Sequence, residues 1–282
     1  MSQLQPPSVA LMGASGAGKT DSLATFLEAG IELFHLGTEP GACEVLIDSC
    51  KRRGLDISRL HFHQMKLAAM GWKAMTDNIA TVGALSHEAL TKLNDISKKE
   101  MSHFMEFLNQ CKNFHDQRTG KDFGDVTTWN DSRAFAVDSL SGLNRMAREY
   151  VVGYKPTMHQ GEWGVAMQLE ENVMYKLISD RSCYLVLIAH VDREVDEVFG
   201  GVKITMSALG RKLAPQLVKF FSEVVLAKHE GDQFYWSTSE ILADVKSRAL
   251  PIGSKLTPSF VPLVRAHQAR LSALRPPEAK AS

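Results

Sequence analysis

Short apolar runs alternate with amphipathic stretches along most of the chain. Val9-Ala10-Leu11-Met12, Ile31 to Gly37, Arg133 to Asp138 and Tyr184 to His190 are each four to seven residues long and almost continuously apolar. Runs of that kind belong to strands buried on both faces, as in a parallel sheet. Between them the period changes. Leu23, Phe26 and Leu27 fall at helical spacing, and Gly30 stands where that helix would stop. Residues 42–53 read as a second helix and Arg59 to Gln64 as a short strand, with His61 and His63 on one face as ordinary strand histidines. A helix is expected from Leu143 to Val151, followed by a loop through Pro156. Gly161-Glu162-Trp163-Gly164 opens another helix, in which Ala166, Leu169, Val173 and Leu177 share a face. Glu194 to Met206 alternates around Gly200-Gly201 as a β-hairpin does. Val224 to Lys228 and Gln233 to Thr238 form a second hairpin around Glu230-Gly231-Asp232, and Lys246-Ser247-Arg248 stands at the end of a further strand.

One region departs from this rhythm. From about Leu67 to His115 the pattern is helical and polar, with Met101, Phe104, Met105, Leu108 and Cys111 as one apolar stripe. It predicts a helical hairpin inserted at one edge. Asp116 to Ser132 is rich in turn residues and reads as a loop, whose Trp129 is either a packing anchor or part of a binding surface. The expected fold is α/β: a three-layer core around a mostly parallel sheet, with a helical insertion at about 67–130 and added β-hairpins. Residues 1–265 are expected to form a single domain, and residues 266–282 a helical or frayed tail.

Composition narrows the classes. The 282 residues suffice for one large α/β domain or two small ones, and 44% of them are hydrophobic. Lys+Arg and Asp+Glu are equal at 32 each, so a protein that coats nucleic acid by charge alone is excluded. The four cysteines, Cys43, Cys50, Cys111 and Cys183, form no C-x-x-C pair, which points to a reducing compartment and no metal-thiolate site. Met1 to Pro7 is polar and no apolar run approaches the ~20 residues of a membrane span. The expectation is a soluble, cytoplasmic protein.

Chemistry enters at Gly13-Ala14-Ser15-Gly16-Ala17-Gly18-Lys19-Thr20, which fits G-x-x-x-x-G-K-[ST] at every fixed position, between an apolar run and a helical one. Glycines let such a loop turn several N–H groups inward at phosphate oxygens, and the helix N-terminus adds partial positive charge. Lys19 is placed to reach the β/γ-phosphates of ATP, and the Thr20 hydroxyl to ligate Mg²⁺. Three other polar residues close apolar strands. Asp138 ends one and is expected to hold Mg²⁺ through its water shell. Glu39, in the Thr38-Glu39-Pro40-Gly41 turn, is either a general base for the attacking water or a solvated turn residue. His190 is either a structural strand end or a contact that reports loss of the γ-phosphate.

The order of these parts resembles the RecA-type core ATPases. The phosphate loop, the glutamate after the next strand (Glu39), Asp138 followed by Ser139, the strand ending in His190, Leu209-Gly210-Arg211-Lys212 and Lys246-x-Arg248 carry the likeness. The resemblance implies that Glu39 activates water and that His190 couples the γ-phosphate to the following loop, where RecA itself has glutamine. It also implies that Lys246 and Arg248 reach a neighbouring subunit's nucleotide in a ring or filament of identical chains, although a cis contact or a solvated basic end is equally compatible with the pattern. More narrowly, Gly161 to Met167, Ala208 to Pro215 and Asp244 to Pro251 resemble minimal RecA-core ATPases of bacteriophages, some of which act in single-strand annealing and recombination. The likeness covers most of residues 8–255, and least of the insertion. It implies single-stranded DNA as a partner. In RecA-like recombinases the loop after the His190-type strand binds DNA, yet here residues 192–212 balance Asp192, Glu194, Asp196 and Glu197 against Arg193, Lys203, Arg211 and Lys212. A loop that tracks phosphates would be basic.

Overall fold

The apolar runs pair into one sheet because none of them can satisfy its backbone or bury its side chains alone. The structure, a computed structural model, describes residues 4–66, 71–86, 88–89, 92, 102–153, 155, 157–195, 200–210 and 212–274. Met101 of the expected stripe, the remaining gaps in the insertion, Pro156, Asp196, Glu197, Arg211 and residues 275–282 lie outside them. The strands are β1 (Ser8–Gly13), β2 (Glu32–Gly37), β3 (Leu60–Gln64), β4 (His115–Asp116), β5 (Lys121–Asp122), β6 (Arg133–Asp138), β7 (Tyr184–Ala189), β8 (Val191–Val195), β9 (Val202–Met206), β10 (Glu223–Glu230) and β11 (Gln233–Ser237). The main sheet has the order β11-β10-β1-β7-β6-β2-β3, and every pairing in it is parallel except β10 with β11. This is the expected α/β core around a mostly parallel sheet.

Alternation along each strand feeds two layers. Val9, Leu11, Ala134 and Ala136 turn to one face, where Leu23, Phe26, Leu46, Phe260 and Leu263 pack. Ala10, Met12, Phe135 and Val137 turn to the other, against Phe104, Phe107, Leu143, Met174 and Leu217. The first face is covered by α1 (Lys19–Ser22), α2 (Thr25–Glu28) and α3 (Ala42–Arg52). Two more helices, α4 (Trp72–Gly83) and α5 (His103–Lys112), come from the insertion. The second face is covered by α5, α6 (Leu140–Val152), α7 (Gln160–Ser179) and α8 (Leu213–Phe220). A last helix, α9 (Val261–Leu274), begins five residues before the expected tail and buries Leu263, Val264 and His267. Phe260 stacks on Phe26 at 4.3 Å, and its N–H donates to Thr25 Oγ1 at 2.9 Å, so this segment closes the first layer.

Three local expectations change. On α5, Phe104 is buried and Leu108 and Cys111 pack against the core as expected, but Phe107 is buried beside them and Met105 is exposed. Trp129 itself is a packing anchor, its indole N–H donating to Phe123 O at 2.9 Å. The expected loop from Asp116 carries the short antiparallel pair β4–β5, held by fully buried Asp116, which accepts from Phe62 N, Arg118 N and Thr119 Oγ1 and contacts His61. His61 and His63 are thereby accounted for structurally, the latter through His115 O at 3.0 Å.

One buried group gives stability a pH dependence. Glu170 on α7 is fully buried, with the Asn144 amide 2.7 and 2.9 Å from its two oxygens. Burial pushes its carboxyl up to about 8. Between the ordinary carboxyl value, ~4.3, and that raised value, the folded chain holds a proton that the unfolded chain has released. The contribution of neutral Glu170 is therefore full at the acid end of that window, is lost as pH rises, and levels off above about 8. Urea denaturation should show a stability slope across this window that Glu170→Gln, permanently neutral, flattens.

Candidate functional site

The carboxyl ends of β1, β2, β6 and β7 stand side by side. Gly37 is level with Asp138, Asp138 with Ile188, and Met12 with Ala189. In an open α/β sheet this edge is where ligands bind.

The phosphate loop leaves β1 at Gly13 and enters α1 at Lys19. Gly16 and Gly18 have φ of 76° and 75°, a conformation side chains resist. A Cβ on Gly18 would also come within 3.0 Å of the Phe234 ring. Lys19 is buried, and its Nζ donates to Gly13 O at 2.8 Å and Ala14 O at 2.7 Å. Burial pushes its amine below the ordinary value, and the Asp138 and Glu39 carboxylates oppose the shift without cancelling it. An ammonium held by two carbonyls of its own loop can exchange them for phosphate oxygens, so the residues fit a bound triphosphate.

Asp138 ends β6, and Thr20 Oγ1 donates to its Oδ2 at 2.6 Å. His35, fully buried on β2, places Nε2 3.2 Å from the same oxygen. Burial alone would raise the Asp138 carboxyl; the contacts with His35 and Thr20 and the nearby Lys19 charge outweigh it and hold the group below the ordinary value. An ionised carboxylate beside a hydroxyl is a hard oxygen donor set suited to Mg²⁺, directly or through water.

Glu39 follows β2. Ser139 Oγ donates to its Oε1, and His190 Nε2 lies 3.4 Å from that oxygen. Its backbone is held from below, where Gln64 Nε2 donates to Gly37 O at 3.1 Å and Glu39 O at 2.9 Å. Thr38 ties the two acidic strand ends together: its N–H donates to Asp138 O, its hydroxyl to Ser139 O, and it accepts from Ser139 N at 2.7 Å. The Asp138–Ser139 peptide is cis. Gly142 permits this contact, because a Cβ there would fall 2.2 Å from Thr38 Oγ1.

These groups open into one pocket of about 890 Å³, lined by the phosphate loop, Glu39, Asp138 and His190. Arg52, Arg53, Phe234 and Thr257 to Ser259 line it as well. Arg53 is held by Asp21 at 2.9 Å and Glu28 at 2.8 Å, and Arg52 also pairs with Asp21.

No family model matches the chain, and no curated protein does. Among solved structures, the crystal structure of the RadB recombinase is similar over 89% of this chain and 88% of that one, at 12% sequence identity and a TM-score of 0.45. The strand order and the position of the site define the fold without that likeness.

The structure thus brings together Gly13 to Thr20, Glu39, Asp138 and His190. It does not bring Lys246 and Arg248 with them, and the strand expected to carry those two is not formed. Lys246 makes only an isolated bridge to Val224, and its Nζ donates to Val218 O and Lys219 O at 3.1 and 3.3 Å, capping the last turn of α8. The chain turns there because the buried Glu223 carboxylate accepts from Ser247 Oγ and from the N–H groups of Arg248, Ala249 and Leu250. Neither basic residue lines the pocket of its own chain. Sequence reasoning missed His35, Gln64, Arg52, Arg53 and Phe234. For His35 a signal existed, a polar residue at the centre of an apolar run.

Proposed function

We propose that the chain is a Mg²⁺-dependent ATPase of RecA-like type that assembles with copies of itself and acts on single-stranded DNA, in the setting of bacteriophage recombination. The supporting observation is the convergence of Lys19, Thr20, Asp138 and Glu39 on one pocket from three separate segments. Lys19 and the inward N–H groups of the loop bind the phosphates and offset their charge. Thr20 and Asp138 would hold Mg²⁺, which when bound neutralises charge on the β- and γ-phosphate oxygens. Glu39, oriented by Ser139, takes a proton from the attacking water. His190, in contact with Glu39, immediately precedes β8 and so connects the site to the β8–β9 hairpin.

Arg248 is assigned to a neighbouring subunit's site. Lys246 is occupied by α8, which leaves the guanidinium as the group for transition-state charge. Fingers of this kind contribute ~10³-fold or more in rate. Arg248→Ala is expected to bind ATP normally and hydrolyse it poorly. Mixed with Lys19→Ala, whose Arg248 is intact, it should regain phosphate release above the sum of the two proteins. Co-assembly by light scattering without such a gain would rule out the trans role.

A second reading, a motor or nucleotide-gated switch on a protein assembly without direct DNA contact, draws support from the β8–β9 hairpin. Its Lys203 is paired with Asp244 at 2.7 Å, which leaves little free positive charge among its described residues. ATP turnover measured with and without single-stranded DNA separates the two. Stimulation favours the first reading, and an unchanged rate favours the second.

A further inference from the structure

Behind Asp138 lies a buried polar chain that the proposed chemistry has not used. His35 Nε2 stands 3.2 Å from Asp138 Oδ2, and on the far side of the ring Cys43 Sγ stands 3.5 Å from Nδ1. His35 is fully buried and Cys43 nearly so. The site packs tightly, since a Cβ on Gly37 would come within 3.3 Å of that sulfur. A buried imidazole must satisfy both nitrogens.

The direction of the chain follows from its ends. A carboxylate only accepts, so Nε2 carries the proton and donates to Asp138. Nδ1 is then the acceptor, and the Cys43 thiol donates to it. Burial pushes that thiol up to about 12, so it remains a donor. Two donors therefore meet on Oδ2 from different elements. Thr20 comes from α1, next to the phosphate loop. His35 comes from the interior of β2, flanked in the sheet by Phe62 and Ala136.

We propose that His35, backed by Cys43, is the positioning residue that fixes the Asp138 carboxylate for Mg²⁺. The inference rests on the nucleotide-site reading above and deepens it. Outer partners of this kind, when removed, cost ~10–100-fold in metal affinity. The chain also explains why an imidazole interrupts the apolar run of β2, where an apolar residue would serve packing alone.

The test uses Mn²⁺ as the probe, followed by electron paramagnetic resonance on the full chain with a non-hydrolysable ATP analogue. His35→Phe keeps a ring in the cavity and removes both nitrogens. It is expected to weaken Mn²⁺ binding in the ternary complex by ~10–100-fold while leaving analogue affinity in EDTA unchanged. His35→Gln, whose amide N–H can reach the Nε2 position, should recover most of the loss. Unchanged Mn²⁺ affinity in folded His35→Phe, or no recovery in His35→Gln, overturns the assignment. Should His35→Phe fail to fold, Cys43→Ala decides, since it leaves the imidazole in place but unsupported. A measurable loss of Mn²⁺ affinity then sustains the proposal, and wild-type affinity overturns it. A wild-type protein that binds no Mn²⁺ with the analogue overturns the nucleotide-site reading as well, which separates the two failures.

Discussion

Lys19→Ala is expected to abolish tight ATP binding. The ammonium is buried at the mouth of the loop, and among the described residues it donates to Gly13 O and Ala14 O, carbonyls of its own loop. Each hydrogen bond from a charged donor contributes about 1.5–3 kcal/mol. Losing two such bonds to phosphate corresponds to ~10²–10⁴-fold in Kd. Arg52 and Arg53 also line the pocket, but both are paired with Asp21, which offsets their charge, so neither replaces the lost ammonium. Calorimetric titration of the variant, with its fold checked by circular dichroism, measures the effect. Unchanged affinity and turnover in a folded Lys19→Ala protein would remove the basis of the nucleotide site.

Glu39→Gln is expected to separate binding from turnover. The amide keeps the shape and can still accept from Ser139 Oγ, and Gln64 still holds the backbone of residue 39. What it loses is the base. General-base effects are ~10²–10⁴-fold, so kcat should fall by that range with ATP affinity retained. Single-turnover phosphate release beside equilibrium binding reads both quantities. Normal turnover would make Glu39 a turn residue, placed by Gln64 for structural reasons alone.

What could be read from the sequence follows from where each signal lies. The strands of the parallel sheet are buried on both faces, so their burial is written locally as apolar runs, and Val9 to Met12, Phe135 to Val137 and Tyr184 to Ala189 were legible for that reason. The phosphate loop was legible because its chemistry needs glycines and a lysine at fixed spacing. The rest of the site depends on register. Ser139 meets Glu39, and His35 meets Asp138, across about a hundred residues of chain, and only the pairing of β2 with β6 shows it. Lys246 and Arg248 failed as a strand for a related reason. Their local pattern allows one, but the Glu223 carboxylate gathers the following N–H groups and turns the chain. On α5 the apolar face is set by what α6 and Trp129 offer, so Phe107 is buried and Met105 is not.

The central claim is that one pocket binds ATP through Lys19 and turns it over through Glu39 with Mg²⁺ held by Thr20 and Asp138. Steady-state phosphate release from ATP by the purified wild-type chain, with Mg²⁺ and then with excess EDTA, tests it most directly. The account predicts turnover that requires the metal and that Asp138→Asn recovers only at higher Mg²⁺. Phosphate release that persists in EDTA, or a wild-type chain that neither binds nor hydrolyses ATP with Mg²⁺ present, would contradict it.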